Sequence, residues 1–112
     1  MERSVWGDRS TLGIEMRDSD QAVILDVFGD IDTLGSPVLL AAIDDTIASG
    51  HSHVTLNLTS VTFFGSAGSS ALLHARERLR NLNGALLLEA PSATVLRMMT
   101  LTGLIDEFDI NV

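Results

Sequence analysis

Three short apolar runs each lead into a stretch whose apolar residues recur at helical spacing, and this alternation constrains the fold more than anything else in the chain. Val23-Ile24-Leu25-Asp26-Val27-Phe28 is nearly all apolar, the pattern of a strand covered on both faces. After it, Ser36-Pro37 offers a helix N-cap followed by proline at the first helical position. Leu40, Ile43 and Ile47 then make an apolar stripe, and Gly50 is placed to end the helix. Val54, Leu56 and Leu58 mark the next strand. Leu72, Ala75, Leu79 and Leu82 follow on a second helix, with Arg76, Glu77 and Arg80 turned outward. Gly84 starts a turn into Ala85-Leu86-Leu87-Leu88, and Ser92 caps a third helix carrying Val95, Leu96 and Met99, closed by Gly103.

Upstream, Leu12, Ile14 and Met16 alternate with Gly13, Glu15 and Arg17, as in a half-buried edge strand. Phe108, Ile110 and Val112 form a short terminal strand. The order β-β-α-β-α-β-α-β predicts an α/β fold, a single domain over residues 12–112 with a mixed β-sheet and helices packed against it. Residues 1–11 are expected to form an N-terminal arm or an extra edge strand.

Between the second of these strands and its helix lies the segment Val61-Thr62-Phe63-Phe64-Gly65-Ser66-Ala67-Gly68-Ser69-Ser70. Gly65 and Gly68 flank Ser66 and Ala67, so small side chains leave the backbone N–H groups of a helix start accessible. Such a terminus presents unsatisfied donors and a partial positive charge, suited to a phosphate, a carboxylate or a partner's backbone. It is the part of the chain most clearly built to be touched.

The remaining composition narrows the partners. With 112 residues, 46% of them hydrophobic, one domain buries roughly two-thirds of its unfolded surface. There is no cysteine, so neither a disulfide framework nor thiol chemistry is available. The N-terminus has no apolar run of signal-peptide type and no segment is long enough to cross a membrane, the pattern of a soluble cytoplasmic domain. A formal net charge of −8 argues against a nucleic-acid partner, because phosphate neutralisation needs clustered cations. All seven basic residues are arginines. Arg76, Arg78 and Arg80, beside His74, could steer a protein partner, although a solvated helix flank explains the same pattern more simply.

Three elements together carry a family resemblance. Val27-Phe28-Gly29-Asp30-Ile31-Asp32-Thr33 resembles the "hydrophobic-x-Gly-Glu-Leu-Asp" turn of STAS domains, Asn57-Leu58-Thr59-Ser60-Val61-Thr62-Phe63 resembles their "Asp-Leu-Ser-x-Val-x-Phe" element, and Leu101-Thr102-Gly103-Leu104 with Phe108 resembles their "x-x-Thr-Gly-Leu-x-x-x-Phe" close. They stand in the family's order and spacing over about residues 12–112. The resemblance is to the anti-sigma factor antagonist type. It implies a regulator that binds a serine-kinase-type anti-sigma factor and so frees a sigma factor. It also implies a contact surface of Asp30, Asp32, Thr33, Gly65, Ser66, Ala67, Gly68 and Ser69, with no cofactor. Self-association as a homodimer is left open.

The chain departs from that family at the centre of its mechanism. Antagonists carry Asp-Ser-Ser-Gly or Asp-Ser-Thr-Gly where this chain has Gly65-Ser66-Ala67-Gly68. The residue phosphorylated in the family aligns with Ala67, which has no acceptor oxygen; the preceding aspartate is Gly65, and the usual following leucine is Ser69. The resemblance therefore implies an antagonist without phosphate control at position 67. Ser66 is the nearest alternative acceptor, while Ser66, Ser69 and Ser70 also read simply as N-cap and first-turn serines.

Catalytic readings find less support. Phe64-Gly65-Ser66-Ala67-Gly68 is one residue short of a G-x-S-x-G nucleophile elbow, and the later histidine, His74, sits eight residues on in the same helix, about 12 Å along its axis and out of reach of Ser66. His51-Ser52-His53 offers two metal ligands without a third, and a glycine-rich phosphate cradle would lack its lysine. Asp30 and Asp32 read as turn formers. Asp26, inside an apolar strand, needs either a partner or an outward position at one end of the sheet. Phe63-Phe64 and Met98-Met99 each read as core rather than contact surface, because strands and helices bury one neighbour of such a pair. The chain is not expected to be an enzyme or to hold a metal. A STAS module that binds a small ligand or nucleotide between the two turns, and a scaffold subunit of a transporter or signalling complex, are the alternatives to the antagonist.

Overall fold

The computed structural model describes residues 4–7, 11–19 and 22–112. Its strands are β1 (Val5–Gly7), β2 (Leu12–Ser19), β3 (Ala22–Ile31), β4 (His53–Phe64), β5 (Ala85–Glu89) and β6 (Asp109–Asn111), which lie side by side in chain order in one sheet. The β1–β2 and β2–β3 pairs are antiparallel and the other three are parallel. Parallel neighbours need a crossover, and each of the three carries one helix: α1 (Gly35–Ala48), α2 (Ser66–Arg80) and α3 (Ala93–Leu101). This is the expected mixed α/β domain, with β1 added at one edge. Residues 1–3 and 8–10 of the expected arm lie outside the described residues.

The helices pack on one face of the sheet. Ile14, Leu25, Val27, Leu56, Leu58 and Leu88 from the strands meet Leu39, Ile43, Leu72, Leu79, Val95 and Met99 from the helices in a single core. Each such side chain contributes about 1.5–3 kcal/mol on burial, so Leu56→Ala, at a fully buried position, costs about 2–5 kcal/mol.

The opposite face is not covered, which corrects the reading of β3. Along that strand Val23, Leu25 and Val27 are buried while Ile24, Asp26 and Phe28 are only half-buried. Asp26 sits on this open face in mid-strand, not at a sheet end. Its carboxylate accepts two hydrogen bonds from Arg17 of β2, at 2.5 and 2.9 Å, and one from Asn57 Nδ2 of β4 at 2.8 Å. A polar bridge across three strands explains how a carboxylate interrupts an apolar run.

Other local expectations shift by a residue or two. The first helix is capped by Asp32, whose Oδ1 accepts from the N–H groups of Leu34 and Gly35, while Ser36 lies inside the first turn with its hydroxyl donating to Asp32 O at 2.7 Å. The buried stripe of α1 is Leu39, Ala42, Ile43 and Thr46; Leu40 and Ile47 are half-buried. Leu82 falls beyond the end of α2 and is 48% exposed. Arg76 turns inward, donating to Glu107 O and lying 5.3 Å from the centroid of the Phe108 ring. Ser92 caps α3 as expected, accepting from Val95 N.

Candidate functional site

Strands β3 and β4 are parallel neighbours, so their C-terminal ends, Ile31 and Phe64, lie paired at the same edge of the sheet. Each strand turns there into a helix, α1 after β3 and α2 after β4. Two contacts join the ends, and a third fixes the first turn. Thr62 Oγ1 donates to Asp30 Oδ1 at 2.7 Å, Gly65 N donates to Ile31 O at 3.4 Å, and Asp32 holds the start of α1.

Two glycines allow the helices to begin so close to the strands. A Cβ at Gly35 would lie 2.2 Å from Asp30 O. At Gly68 it would lie 2.8 Å from the Phe64 ring and 2.9 Å from Ile31 O. Both are below any contact a real side chain makes, so larger residues would push the helix starts off the sheet.

The expected site residues divide by depth. Thr33 and Ser66 are exposed, and Asp30, Asp32, Gly65 and Ala67 are half-buried, so these six share the surface at the strand ends. Gly68 and Ser69 are buried beneath it. Ser69 is 8% exposed and its hydroxyl has no hydrogen-bond partner. Gly65 occupies the N-cap of α2 and no side chain caps that helix, which corrects the N-cap part of the serine reading, while Ser66 and Ser69 do stand in the first turn. Ser66 is the first helical residue.

Several surface residues here are not evident from the sequence. Leu34 is 70% exposed and Phe63 is 49% exposed, while Phe64 is the buried member of the doublet. The cause is in the β3–β4 register, which slips between Asp26 and Phe28 and again between Gly29 and Asp30. Each slip inserts a residue into β4 and resets the alternation, so that Val61 and Phe64 point inward and Phe63 outward. Beside this edge an apolar groove of about 190 Å³ runs between α1 and α2, lined by Ser36, Leu40, Ala67, Ser70, Ala71 and His74. Adjacent strand residues face opposite ways, so the doublet itself implies one buried and one outward phenylalanine, but not which is which.

The basic flank of α2 is largely engaged within the fold. Arg78 forms an ion pair with Asp44 of α1, and Arg76 is held by Glu107 and Phe108. Ser66 and His74 lie eight residues apart on α2, which gives the serine no base from that histidine. Among the described residues no group of three histidine, aspartate or glutamate side chains is placed to share a metal ion, and no helix is long and apolar enough to cross a membrane.

The fold is a small α/β domain whose β3 and β4 ends and helix starts share one surface. The chain belongs to the STAS domain family, whose profile matches residues 13–112. No curated sequence matches it significantly. Among solved structures it is similar to an anti-sigma factor antagonist from Mycobacterium paratuberculosis, with 27% identity over 95% of this chain and 89% of that one and a TM-score of 0.79. It also shares the fold of the anti-sigma factor antagonist SpoIIAA in its unphosphorylated form, at 21% identity, 88% coverage of both chains and a TM-score of 0.73. The phosphorylated form of the same Bacillus protein superposes with a TM-score of 0.67 at 21% identity, covering 88% of this chain and 91% of that one.

Proposed function

We propose that this chain is an anti-sigma factor antagonist that binds a serine-kinase-type anti-sigma factor through its strand-end face and so frees a sigma factor. Asp32, Thr33, Ser66 and Ala67 make the contact, Asp30 fixes the turn from below, Gly65 keeps the backbone of the α2 start accessible, and Gly68 lets that start seat against Phe64 and Ile31. The likeness to an antagonist at 27% identity supports this reading. The observation that carries it is the position of Ala67 in the first turn of α2, half-buried between two helix starts.

A phosphate at that position would add nearly two negative charges at the contact surface and block binding by repulsion and desolvation. Alanine cannot accept one. The surface stays bare and the antagonist remains competent whatever the kinase does. Phosphorylation of Ser66, which is exposed one residue away, is the competing form of control. Its side chain is turned about 100° around the helix from position 67.

Calorimetric titration of the purified protein with each serine-kinase-type anti-sigma factor of the source organism tests the proposal. One of them should bind with Kd of about 1 μM or tighter, near −8 kcal/mol. Ala67→Trp should weaken that binding at least about tenfold, or 1.4 kcal/mol, with little change in thermal unfolding. Absence of binding to every such factor would refute the reading.

A further inference from the structure

We propose a second binding site, for a free α-amino acid or a zwitterion of similar size, in the cleft between the C-terminal half of α2 and the starts of β5 and β6. The cleft holds about 300 Å³, and Arg76, Arg80, Glu107 and Asp109 line it over a floor of Gly84, Ala85 and Leu86. That volume is at the small end of ligand pockets. It lies about 20 Å along α2 from the strand-end face, and the proposal does not depend on the antagonist reading.

The charges of the cleft are incompletely matched. Arg76 donates through Nη1 to Glu107 O at 2.5 Å and pairs with Glu107 Oε1 at 3.4 Å, while its Nε is buried with no hydrogen-bond partner. A buried donor left unpaired is costly, and more so in a charged group. Arg80 and Asp109 are both exposed, and among the described residues neither makes an ion pair or a side-chain hydrogen bond. The cleft thus offers two guanidinium groups and two carboxylates without bringing them all together.

This arrangement selects against simple ions. An anion attracted by Arg76 and Arg80 meets Glu107 and Asp109, and a cation attracted by those carboxylates meets the arginines. A small molecule with an ammonium and a carboxylate satisfies both sets at once, with charge-assisted hydrogen bonds stronger than neutral ones. The uncharged floor leaves room for a short side chain.

The test is a titration of the ¹⁵N-labelled protein with each of the standard amino acids at neutral pH, followed by amide chemical shifts, with acetate and methylamine as singly charged controls. At least one amino acid should give saturable shifts confined to the backbone around Arg76, Arg80, Glu107 and Asp109. Arg80→Gln and Asp109→Asn, both at exposed positions, should each weaken that binding about tenfold while leaving the melting temperature unchanged. Saturation by no amino acid overturns the proposal. So does equal binding of acetate, or an affinity that neither substitution alters.

Discussion

The hydroxyl of Thr62 donates to Asp30 Oδ1 at 2.7 Å, tying the end of β4 to the end of β3 just before both strands turn into helices. Thr62 is the residue that the register slip leaves over, opposite the step from Gly29 to Asp30. The irregularity that turns Phe63 outward therefore also supplies the bond that holds the two turns in one frame. A face held in this way loses little conformational freedom on binding, which favours affinity without requiring a large area.

Leu34 and Phe63, exposed on either side of that frame, are expected to act as apolar anchors for the partner. Exposed substitutions away from special features change stability by no more than about 0.5 kcal/mol, whereas anchor truncations cost about 2 kcal/mol or more of binding. Leu34→Ala and Phe63→Ala should therefore leave thermal unfolding nearly unchanged and weaken the anti-sigma factor complex by about thirtyfold each. Calorimetry beside melting curves separates the two effects. Undiminished affinity in both variants would move the contact elsewhere.

Ser69 makes an opposite prediction, about stability alone. Its hydroxyl is buried without a partner, at a position where the resemblance leads one to expect leucine. Removing an unsatisfied polar group recovers its desolvation cost, and alanine is the better helix former by about half a kcal/mol. Ser69→Ala should raise stability by about 1 kcal/mol, or roughly 4–8 °C in melting temperature for a domain near this size. A lower melting temperature would mean that the hydroxyl is satisfied in solution, for instance by water.

The open sheet face predicts a particular pH response. The Arg17 guanidinium is held above its ordinary pKa, chiefly by its hydrogen bond to Asp26 and against the opposing effect of burial. A raised pKa on a cation stabilises the fold below the ordinary arginine value and loses that contribution only as pH rises through the higher one. The contribution of the Arg17 charge should therefore be flat between about pH 6 and 9. Asp26→Ala, which strands the Asn57 amide as well as Arg17, should cost about 1–3 kcal/mol across that range. Denaturant melts of both proteins at several pH values check it, and a cost that varied across the range would point to a different titrating group.

Periodicity is enough to read the element order, the number of helices and the turn between β4 and α2, because burial on one face imposes those spacings directly. It does not reveal, in the apolar run of β3, that the other sheet face stays open. It failed where a local irregularity intervened. The β4 strand continues six residues past Leu58, through two register slips that apolar spacing cannot reveal. Which phenylalanine of the doublet faces the core is decided by those slips. Asp32 and Ser36 exchanged roles at the start of α1 because either can cap, and only the turn geometry decides which carboxylate or hydroxyl reaches the free N–H groups. Arg76 looked solvent-facing on a helical wheel, yet the chain between α3 and β6 passes close enough to cover it. Sequence spacing along one helix says nothing about what another segment lays against it.

Native mass spectrometry of the chain mixed with its anti-sigma kinase and Mg-ATP tests the central claim most directly. The account predicts that the complex persists through many turnover times and that the chain in it keeps its unmodified mass, since Ala67 offers no acceptor. A stoichiometric phosphate on Ser66, accompanied by dissociation of the complex, would contradict it and would show that control has moved one residue along the helix.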